Sequence, residues 1–111
     1  MLAAVHRLRT SAEFTETVRR GRRAGRPLLS AHLLVTADGA PPRVGLVVSK
    51  AVGGSVVRHR VSRRLRHLLR ERLAALPDGS RLVVRAAPAA ATATSGALAT
   101  DLDAVLRRVR T

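Results

Sequence analysis

Two rhythms of hydrophobic positions run through the chain. Between Ser55 and Leu76, valine and leucine recur every three or four residues, the spacing of one helix face. Leu98, Leu102, Val105, Leu106 and Val109 repeat that spacing near the C-terminus, with Thr94 or Ser95 placed to cap a last helix. Stretches at 28–37, 43–50 and 81–87 read as strands. In the first, Leu29, Ala31, Leu33 and Val35 form an apolar side, and Leu28, Ser30, His32 and Leu34 a mixed one. In the second, Val44, Leu46 and Val48 oppose Gly45, Val47 and Ser49. Thr10-Ser-Ala-Glu13 has the form of a capping box, and Gly21 is placed to end the helix it starts. A helix over 11–20 follows, with Phe14 and Val18 on one face. Turn chemistry at 37–42, Gly53-Gly54 and 77–80 separates these elements, as do an Ala/Thr-rich loop at 87–96 and a Gly-containing connector at 19–26. The order α-β-β-α-β-α predicts an α+β sandwich, helices packed on a small sheet. With 111 residues, no internal repeat and no long linker, the chain reads as one domain over 1–111.

Charge changes the reading of the long helix. On a wheel of about 100° per residue, Val57, Val61, Leu65, Leu68, Leu69 and Leu76 share one sector. His59, Arg60, Arg63, Arg64, Arg66, His67 and Arg70 fill the opposite one. Arg58 and Arg72 fall in the apolar sector, Arg58 in the first turn and Arg72 near the end, where its stem can snorkel. A solvated helix face normally mixes charge signs to gain i, i+4 pairs. This one offers only Glu71.

The whole chain shares the imbalance. Twenty arginines and Lys50 face seven acids, for a net charge of +14. Self-repulsion on that scale opposes the compact state, and a polyanion relieves it. The ridge has the electrostatic footprint of nucleic-acid binding, and the turn at Gly53-Gly54 adds backbone N–H groups at a helix start. The five arginines of the connector, between Arg19 and Arg26, read either as a solvated loop or as phosphate contacts. Phe14 is the only aromatic residue, so stacking is scarce. A strand rather than a short helix precedes the basic helix, which disfavours a helix-turn-helix DNA reader; backbone and shape recognition of RNA suits an arginine ridge. Cysteine is absent, so no disulfide or thiolate site exists. No run reaches the roughly 20 apolar residues of a membrane span, and the apolar N-terminal stretch is too short for a signal peptide. A cytoplasmic protein is expected.

A nuclease centre within the polypeptide is not expected. Magnesium needs clustered carboxylates. Asp38 and Asp78 precede glycines in turns, Glu13 and Glu16 lie at a helix start, and Asp101 and Asp103 diverge on a helix. His59 and His67 stand eight residues apart, roughly 12 Å along a helix, too far to flank one phosphate. Neither catalytic nor metal-ligating residues are therefore assigned.

The segment RVGLVVSKAVGGSVVRHRVSRRLR, Arg43 to Arg66, resembles the signature of bacterial ribonuclease P protein subunits. Arg43, Gly45, Val48, Ser49, Lys50, Gly53, Val56, Arg58, Arg60, Arg63 and Arg66 match it in register. The upstream RLRTSAEFTETVRRGRRAG is similar too, and the resemblance covers essentially the whole chain. Ala51, Ser55, His59 and Ser62 depart from the signature, Val18 stands where a second aromatic is frequent, and His32 where a strand aromatic is common. The resemblance implies a protein cofactor of a catalytic RNA that removes the 5′ leader of precursor tRNA with Mg²⁺, the metal held mainly by RNA and substrate. It implies a left-handed βαβ crossover whose basic helix faces the catalytic RNA, and a cleft between sheet and first helix for the single-stranded leader. Carried over, Phe14, Val18, His32 and Ser49 line the cleft. Lys50, Arg58, Arg60, Arg63, Arg64, Arg66 and Arg70, with His59 and His67 on the same ridge, face RNA. The implied partners are that RNA and precursor tRNA, not DNA or a membrane, with a monomeric protein in the ribonucleoprotein. A small ribosomal or general RNA-binding protein shares the charge and size and is the rival expectation; an architectural DNA-binding protein would need a dimer or an apolar wedge that the chain does not offer.

Overall fold

The computed structural model describes residues 6–8 and 10–110. The apolar stretch at 1–5, weighed above as a signal peptide, and Arg9 of the similar upstream segment lie outside the described residues. Helix α1 is Ser11–Arg20; strands β1, β2 and β3 are Arg22–Gly25, Leu29–Val35 and Arg43–Val47; α2 is Ser55–Arg72, β4 is Ser80–Ala86 and α3 is Ser95–Arg110. The strands form one sheet in the order β1-β2-β4-β3. β2 runs antiparallel to both β1 and β4, while β3 and β4 are parallel neighbours joined through α2. The result is the expected α+β class with one strand more than the sequence pattern predicts.

That strand, β1, occupies the stretch read as a connector. It has almost no apolar signal: Ala24 alone is buried, between exposed arginines. Pairing with β2 in a hairpin, not burial, makes it a strand. The other departures are at ends. α2 stops at Arg72 and continues as a 3-10 turn over Leu73–Ala75. The Ala/Thr-rich loop carries a second 3-10 turn, Pro88–Thr92, pinned by fully buried Ala90.

The sheet separates two chemistries because strand side chains alternate. On one face Leu29, Ala31, Leu33, Val44, Leu82 and Val84 join Val61, Leu65 and Leu69 of α2 and Leu98, Leu102 and Val105 of α3 in a single core. The apolar sector of α2 read from the wheel is the sector buried. Arg72, at the edge of that sector, does more than snorkel: its Nε lies 2.6 Å from Asp103 Oδ1 on α3, and it also donates to the Leu68 carbonyl. The Arg72 hydrogen bond holds the Asp103 carboxyl below its usual range.

The opposite face carries α1. Thr10 and Glu13 form the full capping box. Gly21 ends the helix, but its φ of −75° is not left-handed. Space is its reason: a Cβ would stand 2.8 Å from the Leu33 carbonyl oxygen. Phe14 lies directly on Gly45 of β3, and a Cβ at Gly45 would collide with its ring. Ion pairs fasten the helix around that contact. Glu13 pairs with Arg43 at 2.8 Å and Glu16 with Arg81 at 2.6 Å, both guanidinium side chains largely covered. Arg43 and Arg81 are register partners on β3 and β4, and Asp38 approaches both. Removing one partner of a covered pair costs on the order of 3 kcal/mol, whereas the exposed His67–Glu71 pair contributes about 0–1 kcal/mol.

The Phe14–Gly45 contact predicts coupled mutations. Gly45→Ala lowers unfolding free energy by about 1–3 kcal/mol through overpacking. In the Phe14→Ala background the same change costs less, with a coupling of at least about 0.5 kcal/mol in urea unfolding. Additive losses would contradict the contact.

Candidate nucleic-acid interface

α2 presents its basic residues in three groups. His59, Arg63, Arg66, His67 and Arg70 form an exposed crest. Arg63, Arg66 and Arg70 have no side-chain hydrogen bond or ion pair among the described residues, and His67 meets only Glu71, at 3.5 Å. Arg60 and Arg64 turn to one flank and donate to the carbonyls of Ala91 and Ala93, at 2.8 and 2.9 Å. In the free protein these two hold the 3-10 loop against α2 instead of projecting freely like the crest. Arg58 turns to the other flank, where it lines a groove with Val48, His59, Ser62 and Arg66. Its Nε is buried without a partner, and its Nη2 reaches Ser55 Oγ at 3.5 Å. Lys50 is exposed in the turn before the helix, in which Val52 and Gly53 donate to the Ser49 and Lys50 carbonyls. Gly54 is the N-cap and supplies no side chain, so the first-turn N–H groups of α2 meet no capping group.

The other charged surface is the sheet face beside α1. Phe14 is half-buried on Gly45, and Val18, one turn on, is 36% exposed. His32 lies in the same cross-strand row: Arg23, His32, Val83 and Gly45 are successive register partners. The structure thus brings Phe14 and His32 to one face, with Val18 beside them on α1. Ser49 is exposed in the loop beyond β3. His32 is 9% exposed, yet its Nδ1 meets no partner. Burial first, then the Arg23 and Arg85 charges, hold its pKa below the ordinary 6.5. A neutral imidazole with an unused ring nitrogen therefore sits between two guanidinium groups.

Arg85 is absent from the candidates read from the sequence, though its signal exists, and Arg23 figures there only as one of five connector arginines that read either as a solvated loop or as phosphate contacts. Period-two alternation in Arg81-Leu-Val-Val-Arg85 puts Arg81, Val83 and Arg85 on the face opposite the core. Arg23 needed the unrecognised strand β1.

The acids explain what remains free. Glu13, Glu16 and Asp38 serve Arg43 and Arg81; Asp101 accepts from the Leu28 N–H and Arg26; Asp103 holds Arg72. Among the described residues no three carboxylate or imidazole groups converge as a metal site. No helix among them is long and apolar enough to cross a membrane.

Comparisons with known proteins place the family and the fold. The family model described as Ribonuclease P matches residues 2–110. The ribonuclease P protein component of Streptomyces griseus is 57% identical over 117 residues, covering 98% of this chain and 95% of that protein. The component of Nocardioides is 57% identical over 111 residues with the same coverage. The solved RNase P protein of Staphylococcus aureus superposes with a TM-score of 0.84 at 20% identity, over 93% of this chain and 94% of its own. That of Thermotoga maritima gives 0.80 at 20% identity, over 93% and 96%.

The His32 environment predicts its titration. With the folded pKa depressed, the unfolded chain takes the proton first, so folded stability holds above pH 6.5 and declines as pH falls below it. The His32 resonance followed by NMR titrates below 6.5, and Arg85→Gln moves the midpoint part of the way back. A wild-type midpoint at or above 6.5 would contradict the arrangement.

Proposed function

The chain belongs to the ribonuclease P protein component family, and from that premise we propose that it binds the catalytic RNA of an endoribonuclease holoenzyme and the 5′ leader of precursor tRNA. The observation that carries the reading is the exposed crest of α2. Arg63, Arg66 and Arg70 stand uncompensated because Glu71, the one acid on α2, meets His67 and Arg72, and Asp103 holds Arg72. Guanidinium forks suit phosphate oxygens, and release of condensed counterions favours the complex.

Each surface has its own part. The crest, with Lys50 and Arg58 at its near end, takes backbone phosphates of the catalytic RNA. Arg60 and Arg64 position the 88–93 loop beside the crest and shape its border. The cleft face takes the leader: Phe14 offers the one aromatic surface for a base, Val18 widens it, and His32 lies in the floor of the same face between Arg23 and Val83. Ser49 closes the cleft beyond β3. The polypeptide contributes no acid, base or nucleophile to cleavage. Mg²⁺ supplies the charge neutralisation and water activation of phosphodiester hydrolysis, held by RNA and substrate rather than by these side chains. The protein lowers the repulsion between the two RNAs, works as a single copy in the cytoplasm, and leaves the reacting bond to the RNA.

The ridge is tested by comparing paired variants in assembly with a bacterial ribonuclease P RNA. Arg63→Ala with Arg66→Ala weakens assembly by at least about tenfold and lowers the slope of log K against log salt by about 1–2. Neither change lowers the thermal midpoint, because neither side chain has a hydrogen bond or ion pair within the fold among the described residues. Arg60→Ala with Arg64→Ala instead lowers the midpoint, since it frees two loop carbonyls. Unchanged affinity and slope for the first pair would overturn the assignment of the crest and favour a general RNA-binding role elsewhere on the surface.

A further inference from the structure

The cleft does not end at His32. Beyond it, toward the β1–β2 hairpin, lies an open groove of about 450 Å³ bordered by Arg23, Arg26, Ser30, Arg85 and Ala87. Register explains the convergence. Gly25, Ser30 and Arg85 are successive partners across β1, β2 and β4. The Arg23 guanidinium nitrogens lie 3.6 Å from where a Gly25 Cβ would stand, so the head group has folded over that same row. Two guanidinium groups thus flank Ser30 from opposite strands. Gly25, having no side chain, leaves the space between them open.

Neither Arg23 nor Arg85 has a hydrogen bond or ion pair among the described residues. The nearest acid is already engaged: Asp101 accepts from the Leu28 N–H at 3.0 Å and faces Arg26 at 3.4 Å. Like charges held together without a counter-charge attract an anion, and two planar forks on either side of a hydroxyl present donors that a tetrahedral phosphate can accept. The groove lies on the same sheet face as His32, one cross-strand row along β2: Arg23 borders it and is the register partner of His32, whose row runs on through Val83 to Gly45 beneath Phe14. An aromatic surface followed along one face by phosphate donors matches the contacts a single strand offers, base and then backbone.

We infer that this groove is a phosphodiester subsite, in which Arg23 and Arg85, with Ser30 between them, grip one backbone phosphate of the single-stranded leader upstream of the nucleotide at Phe14 and His32. The inference rests on the leader reading and extends it past the residues that reading names. Affinity for precursor tRNA then depends on leader length: a leader too short to reach the hairpin end forfeits the contact.

The test uses the holoenzyme reconstituted with a bacterial ribonuclease P RNA. Its substrates are precursor tRNAs carrying a single neutral methylphosphonate linkage, moved one position at a time along the leader. The variant is Arg23→Gln with Arg85→Gln, and both side chains are exposed enough to leave the fold intact. The double variant binds unmodified precursor about tenfold more weakly, binds mature tRNA unchanged, and loses about 0.7 from its salt slope, the value for one single-strand phosphate. One methylphosphonate position weakens wild type by a similar factor and leaves the variant indifferent. If every position affects the two proteins alike, the subsite is wrong. Equal losses on precursor and mature tRNA overturn it too, assigning the arginines to folded RNA. Phe14→Ala separates the two levels. If it weakens precursor binding while the arginine pair does not, the leader reading stands and the subsite falls. If wild type itself fails to distinguish precursor from mature tRNA, both fall.

Discussion

The clasp of α1 onto the sheet is the constraint from which the rest of the structure follows. Glu13 and Glu16 reach down from the helix to Arg43 and Arg81, adjacent on parallel strands, and Asp38 closes the group from the turn before β3. Three of the chain's seven acids are spent there. The clasp grips one end of the sheet face and leaves the other uncovered. Phe14 is thereby set on Gly45, and the same face opens beyond buried His32 into the groove at the hairpin. A helix packed along the whole face would leave no cleft. A helix without the ion pairs would have little to hold it, since only Phe14 and the buried Thr17 pack inward from it.

Where the acids go also decides which cations are free. Asp103 neutralises Arg72 between α2 and α3, and Asp101 secures the hairpin end through a backbone N–H. Each acid placed in the fold is one that cannot quiet the crest of α2 or the Arg23–Arg85 pair. The large positive charge is therefore not spread evenly. It is cancelled where elements meet and left standing on exposed surfaces, among them the helical crest of α2 and the groove in the sheet. Convex and concave surfaces suit different nucleic acids: a ridge meets the backbone of a folded RNA, and a groove receives a single strand.

Much of this was legible in residue order. The wheel of α2 separated core from ridge correctly because helical periodicity is strong over eighteen residues. The capping box of α1 and the alternating strands were equally plain. What escaped depended on contacts between distant parts of the chain. β1 has no pattern of its own and exists through its partner. The wheel gave Arg60 and Arg64 the same standing as Arg63, because nothing in a helix projection places the Ala-rich loop alongside. Gly21 and Gly45 were visible as glycines, but their reason, a backbone or ring pressed against them, appears only when the layers are assembled. Arg85 could have been found from strand alternation; Arg23 was in view as a connector arginine, but without β1 nothing gave it a face.

The central claim is that a polypeptide without a catalytic centre makes an RNA active site workable by supplying charge and a grip on the leader. Its most direct test is cleavage of a precursor tRNA by a bacterial ribonuclease P RNA at low Mg²⁺, with and without this protein. The account predicts that the protein restores accurate removal of the leader under those conditions and does nothing in the absence of the RNA. Binding of both RNAs with no gain in cleavage, or cleavage by the protein alone, would contradict it.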